Sequence, residues 1–143
     1  RQNLIPARTV YEEKNLSAYG AYELISASDA KVSIFASGSE VEIAIKAQAT
    51  LAAKGISARV VSVPCFELFF EQSADYQEAI IGKAPVKIAV EAGIRQGWDA
   101  FIGNDGAFVG MKSFGASAPA KDLYKHFGIT AEAVVSAAEA KLA

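Results

Sequence analysis

"KVSIFASGSEVEIAIKAQATLAAKGISARVVSV", residues 31–63, decides the fold. Its two ends, 31–37 and 58–63, are rich in β-branched residues and bounded by Ser, Gly or Pro, as buried strands tend to be. Between them Val41, Ala44, Ile45, Gln48, Leu51 and Ala52 recur at helical spacing, and all but Gln48 are apolar. Glu40, Glu42, Lys46 and Lys54 fall mainly on other faces, and Gly55 follows as the residue suited to a left-handed helix end. Strand, helix and strand over this length form a βαβ unit, whose crossover is right-handed in almost every known case.

The theme repeats outward. Pro64 precedes "CFELFFEQ", which holds a helical turn, and "SADYQEAIIG" (73–82) predicts a short helix capped by Ser73. "VKIAVEAG" (86–93) reads as a strand, "QGWDAFIG" (96–103) as a short helix and "GAFVGM" (106–111) as a further strand. A helix from Pro119 to Gly128 and another capped by Thr130, turning Val134, Val135, Ala138 and Leu142 inward, end the chain. "AYELISAS" (21–28) supplies an antiparallel edge strand. The alternation predicts a three-layer α/β/α domain with a mostly parallel, mixed sheet of five strands. Residues 17–143 form that domain. "RQNLIPAR" (1–8) has neither strand alternation nor an apolar face, so 1–16 read as an interdomain linker. A start on Arg1 rather than Met fits a link whose upstream half lies elsewhere.

Composition narrows the function. Of 143 residues 52% are apolar and 21% charged, so a packed core is expected. The net charge of −2, with no stripe of Lys or Arg, argues against a nucleic-acid surface. No apolar run approaches the length of a membrane span. One cysteine, Cys65, allows no internal disulfide, and a cytoplasmic location is expected.

Four places invite a functional reading. Ser37, Gly38 and Ser39 join a strand to a helix, where α/β proteins often hold phosphate. Against this, Ser39 and Glu42 have the spacing of a capping box, as do Ser37 and Glu40, so the loop is read first as a helix cap. The rival is a phosphate- or nucleotide-binding module built on Ser37–Glu40. "GNDGAF" (103–108) superficially resembles the start of a thiamine diphosphate and magnesium motif, but Asn104 breaks the triplet and no later Asn completes it; a turn is expected. Cys65 and His126 would make a nucleophile pair only if the fold joined them, and Cys65 among Pro64, Phe66, Leu68 and Phe69 is expected to be buried and inert. His126 is expected to cap helix carbonyls or lie at the surface. Glu91 ends a strand before a glycine, suited to bonding nearby backbone or to solvent, while Trp98 is expected to fill a gap between layers or domains. Phe66, Phe69, Phe70, Trp98, Phe101, Phe108 and Phe114 exceed the needs of one small core, and some are expected to cover a face that packs on another domain. The residues alone give no complete catalytic constellation.

Taken together, "RQNL" (1–4), "FASGSEVEIA" (35–44), "ARVVSVPCFELF" (58–69), "IAVEAGI" (88–94), "GAFVGMKSFGASAP" (106–119) and "HFGITAEAVV" (126–135) resemble the C-terminal domain of transketolase, in the family's order. That resemblance implies a homodimeric enzyme transferring a two-carbon ketol unit between phosphorylated sugars, in the pentose phosphate pathway and the Calvin cycle. It implies thiamine diphosphate with magnesium or calcium on two upstream domains of the same chain. It implies no cofactor, metal or catalytic residue in this part, whose role would be support, dimer contact or regulation, and no activity for this part alone. Arg1 matches the family's arginine that holds the sugar phosphate, a task suited to a guanidinium's paired donors. Where many relatives carry a glutamate, this chain has Ala116, so no role of that carboxylate transfers.

Overall fold

A computed structural model describes Leu4, Pro6 and residues 13–143. Five strands, β1 (Tyr22–Ile25), β2 (Val32–Ala36), β3 (Ala58–Ser62), β4 (Val86–Glu91) and β5 (Ala107–Gly110), form one sheet in the order β1-β3-β2-β4-β5. β2 through β5 run parallel, and β1 lies antiparallel on the β3 edge, as the sequence predicts. Every residue of β2 and of β3 is buried, which is the pattern of strands covered on both faces.

Side-chain alternation splits the core in two. One face turns Val32, Ile34, Val60, Ile88 and Val90 toward α1 (Val41–Ala53) and α6 (Ala131–Leu142), with α5 (Ala120–Phe127) at its margin. The register pairs Ile34 with both Val60 and Ile88, so three apolar side chains cross the middle of the sheet in a row. The other face turns Phe35, Val61 and Ala89 toward α2 (Phe66–Phe70), α3 (Ala74–Ile81) and α4 (Asp99–Ile102). There the surplus of aromatics has its use. Phe101 is 1% exposed and packs against Phe35, Phe66, Phe69, Phe70 and Trp98, with ring centres 4.8–5.9 Å apart.

The helix ends follow from local chemistry. The Ser73 hydroxyl accepts from the Tyr76 amide at 3.3 Å, and that of Thr130 accepts from the Ala133 amide at 3.2 Å, both as expected. Gly128, in the left-handed region, closes α5. Two helical positions depart from expectation. In α1 the buried row is Val41, Ala44, Ala47 and Leu51, while Ala52 is exposed, because the helix lies on the sheet along its i, i+3, i+4 stripe. In α6 Val134, Val135 and Ala138 are buried, but Leu142 is 38% exposed, past the point where the sheet can cover it.

Candidate functional site

In this strand order the chain leaves β2 toward β3 on one side and reaches β4 on the other. The carboxyl ends of β2 and β4 therefore form the topological switch point, where open α/β sheets hold ligands. Residues of both sequence candidates meet there. A 3₁₀ turn, Gly38–Glu40, follows β2, and Glu91 ends β4.

The predicted capping boxes do not form. Ser37 precedes the turn in extended conformation with no side-chain cap bond, and α1 starts one residue after Glu40 with none either. Instead the turn rolls Glu40 inward until it is 4% exposed. A buried carboxylate is costly unless donors reach it, and the nearby hydroxyls are drawn to it rather than to the backbone. The Ser39 hydroxyl donates to Glu40 Oε1 at 2.7 Å. Tyr124, from α5, also donates to Glu40 Oε1, and its hydroxyl lies 2.9 Å from that of Ser39. Glu42, freed from the cap, pairs with Lys46 at 2.5 Å along the exposed side of α1.

Glu91 completes the cluster. Its carboxyl is pushed up to about 7, first by burial, then by the Glu40 charge and by a hydrogen bond to Glu40 that requires a proton; the Ala92 backbone pulls weakly the other way. Two hydroxyls donate to Glu40, and Glu91 is the member suited to hold the proton. A Cβ at Gly93 would stand 3.3 Å from Glu91 Cγ. Chemically the site can share and move a proton, but a phosphate would meet carboxyls and find the hydroxyls engaged. The anion reading of Ser37, Gly38 and Ser39 is not favoured. Thiamine diphosphate fits no better, and among the described residues no group of three or more His, Cys, Asp or Glu side chains is placed to hold a metal ion.

The other candidates separate. Cys65 begins α2 on the aromatic face of the sheet, while His126 sits on α5 against the opposite face, so no nucleophile pair exists. The expected burial of Cys65 is also corrected: it is half-buried, with its thiol donating to Glu67 Oε2 at 3.4 Å, because α2 turns Phe69 inward in its place. His126 is exposed beside Phe127, near the end of α5. Trp98, 3% exposed, fills the interlayer gap edge-on to Phe66. The 103–106 segment is a turn, pinned by Arg95, which donates to the carbonyls of Gly103, Asn104 and Gly106. Arg1 lies outside the described residues.

Among the described residues two concavities stand out. One of about 220 Å³ lies beside the switch point under α5, lined by Ala92, Met111, Leu123, Tyr124, Phe127 and Ile129 among others. The second, about 410 Å³, lies at the amino ends of the strands, where Lys31, Arg59 and Lys83 face it with Asp29. Its buried cation is engaged. Arg59 donates to the carbonyls of Ala79 and Ile80 at the end of α3, and its Nε is 3.0 Å from Glu23 Oε2, near enough for charge attraction but out of line for a hydrogen bond. Gly82, at φ +67°, makes room, because a Cβ would stand 2.4 Å from Arg59 Nη1.

The residues that sequence reasoning missed are Glu40 as a buried group and Tyr124 as its partner. A tyrosine between Leu123 and Lys125 gives no local sign that its hydroxyl crosses 84 positions to reach a carboxylate.

With this geometry in view, comparison with known proteins gives a consistent answer. The family model for the transketolase-like C-terminal domain matches residues 20–130. A transketolase from Cereibacter sphaeroides is 52% identical over 142 residues, covering 99% of this chain and 22% of that protein. One from Sinorhizobium medicae is 53% identical, covering 96% of this chain and 20% of its own length. Among solved structures, a transketolase from Leishmania mexicana superposes with a TM-score of 0.79 at 43% identity, over 85% of this chain and 18% of that one. A Pichia stipitis transketolase in complex with sedoheptulose 7-phosphate reaches 0.81 at 32% identity, over 87% and 18%. The chain thus spans about a fifth of the length of the relatives it matches.

Proposed function

Because this chain belongs to the transketolase family, as its C-terminal domain, we propose that it is the support and contact module of an enzyme whose chemistry is done elsewhere. The whole protein would transfer a two-carbon ketol unit between phosphorylated sugars, in the pentose phosphate pathway and the Calvin cycle. It would act as a cytoplasmic homodimer, with thiamine diphosphate and magnesium or calcium on two upstream domains. Residues 1–16 would be the link to those domains and 17–143 the domain itself. Arg1 would reach back to the phosphate of the sugar, a bidentate contact in the intact enzyme. Among the described residues no helix is long and apolar enough to cross a membrane.

One observation carries the reading. At the switch point Glu40 is buried under the hydroxyls of Ser39 and Tyr124 with Glu91 beside it, and four of the exposed large apolar residues lie in segments that follow β3, β4 and β5. Leu68 and Phe70 follow β3, Ile94 follows β4 and Phe114 follows β5; they are 38%, 46%, 61% and 98% exposed. Apolar residues gathered at one end suit a protein contact rather than water. Their partner would be the upstream domains.

The test is direct. The 143-residue chain should show no ketol transfer and no thiamine diphosphate affinity, and nucleotides or inorganic phosphate should shift neither Trp98 fluorescence nor the melting temperature. Turnover by this chain, or a saturable shift with phosphate, would overturn the proposal.

A further inference from the structure

α5 differs from the other α-helices: none of its eight residues is buried, and the 220 Å³ cavity lies beneath it. Its polar tie to the rest of the domain runs from the Tyr124 hydroxyl to Glu40 and Ser39, across the carboxyl ends of β2 and β4. The carboxyl of Glu91 interacts with the same Glu40 carboxyl through charge and a hydrogen bond. A buried carboxylate thus fastens a lightly seated helix, with a second carboxyl pressed against it.

We propose that α5 is a proton-controlled lid over the switch point, closed while Glu40 and Glu91 hold one proton between them and released when that proton leaves to solvent. With the proton on Glu91, the single charge on Glu40 receives three donors: the hydroxyls of Ser39 and Tyr124 and the Glu91 O–H. Without it, two negative charges face each other at hydrogen-bond distance in a partly dry site. The cheapest relief is to let water in, and the cavity under α5 gives it room once Tyr124 lets go.

Among the described residues no neighbouring cation quenches this repulsion. On α1, Lys46 is paired with Glu42. After β4, Arg95 is held by Asp99 and the 103–106 carbonyls. Lys112 before α5, and Lys121, Asp122, Lys125 and His126 on it, are exposed, and none bonds either carboxyl. Burial and the Glu40 charge hold Glu91 at about 7, so the release falls near neutral pH.

Hydrogen exchange of the α5 amides, corrected for the intrinsic pH dependence, reads the lid. Between pH 6 and pH 8 the ionised share of a group titrating near 7 rises about tenfold, so α5 protection should fall by about that factor. Protection in α1 and α6 should hold, and Trp98 fluorescence should confirm that the core stays folded. Glu91→Gln, whose amide can donate to Glu40 without charge, should keep α5 protected at both pH values. Tyr124→Phe should lower protection at both. Constant α5 protection in the wild type, loss shared equally by all helices, or a pH response surviving in Glu91→Gln would overturn the proposal. If Glu91→Gln does not fold, Glu91→Ala carries the same test, since it removes the titrating group and leaves the Tyr124 bond to Glu40 in place.

Discussion

The two ends of the sheet each bury a charge, and they treat it in opposite ways. At the amino end, Arg59 meets an opposite charge on Glu23 and the carbonyls that α3 leaves unpaired at its C-terminus. At the carboxyl end, Glu40 meets two hydroxyls and a like charge. The first arrangement is complementary at any physiological pH and serves as a fixed joint between β1, β3 and α3. The second is complementary only while a proton is present. A domain of one fold thus carries a permanent clamp at one rim and a conditional one at the other.

Substitutions can break that contrast, beginning with the largest expected effect. Arg59→Ala should cost about 3 kcal/mol in urea unfolding, because it leaves the carbonyls at the end of α3 without their donors and removes a buried side chain, and the loss should be the same at pH 6 and pH 8. A loss under about 1 kcal/mol would mean the clamp is ornamental. Ser39→Ala removes one of the donors to a buried carboxylate and should cost about 1.5 kcal/mol, more at pH 8 than at pH 6, as the remaining charge grows harder to satisfy. Ser73→Ala, which removes an ordinary cap from α3, should cost about 1 kcal/mol with no pH dependence, and so serves as the neutral reference. Lys46→Ala, breaking an exposed i, i+4 pair, should change stability by only about 0.3–0.5 kcal/mol.

Most of the fold was legible from residues because the signals were local. The β-branched runs at 31–37, 58–63 and 86–93, the caps at Ser73 and Thr130, and the glycine after 127 each act over a few positions. The switch-point loop was found for a good reason and read wrongly for an equally physical one. Ser39 and Glu42 have capping spacing, but spacing cannot reveal that Glu40 will be buried and will claim the hydroxyl first. Glu91 stood out by its place at a strand end, yet its raised proton affinity comes first from burial and then from a side chain 51 positions away, neither of which a strand-end position reveals. The 52–47 exchange in α1, with Ala52 exposed and Ala47 buried, depended on how the helix lies on the sheet, which the sequence leaves open by a fraction of a turn. The family resemblance named the domain; it said nothing of the carboxyl pair.

The titration of Glu91 tests the account most directly. A carboxyl raised from 4.5 to about 7 binds its proton more tightly in the folded chain than in the unfolded one, so stability should fall as pH rises between those values and level off above them. Side-chain carboxyl NMR of the folded chain should give Glu91 a midpoint near 7 that falls in Glu40→Gln but stays above 4.5, because burial, the largest cause, remains. A midpoint near 4.5 in the wild type would mean that the two carboxyls do not share a proton, and the switch point would again be open to an anion.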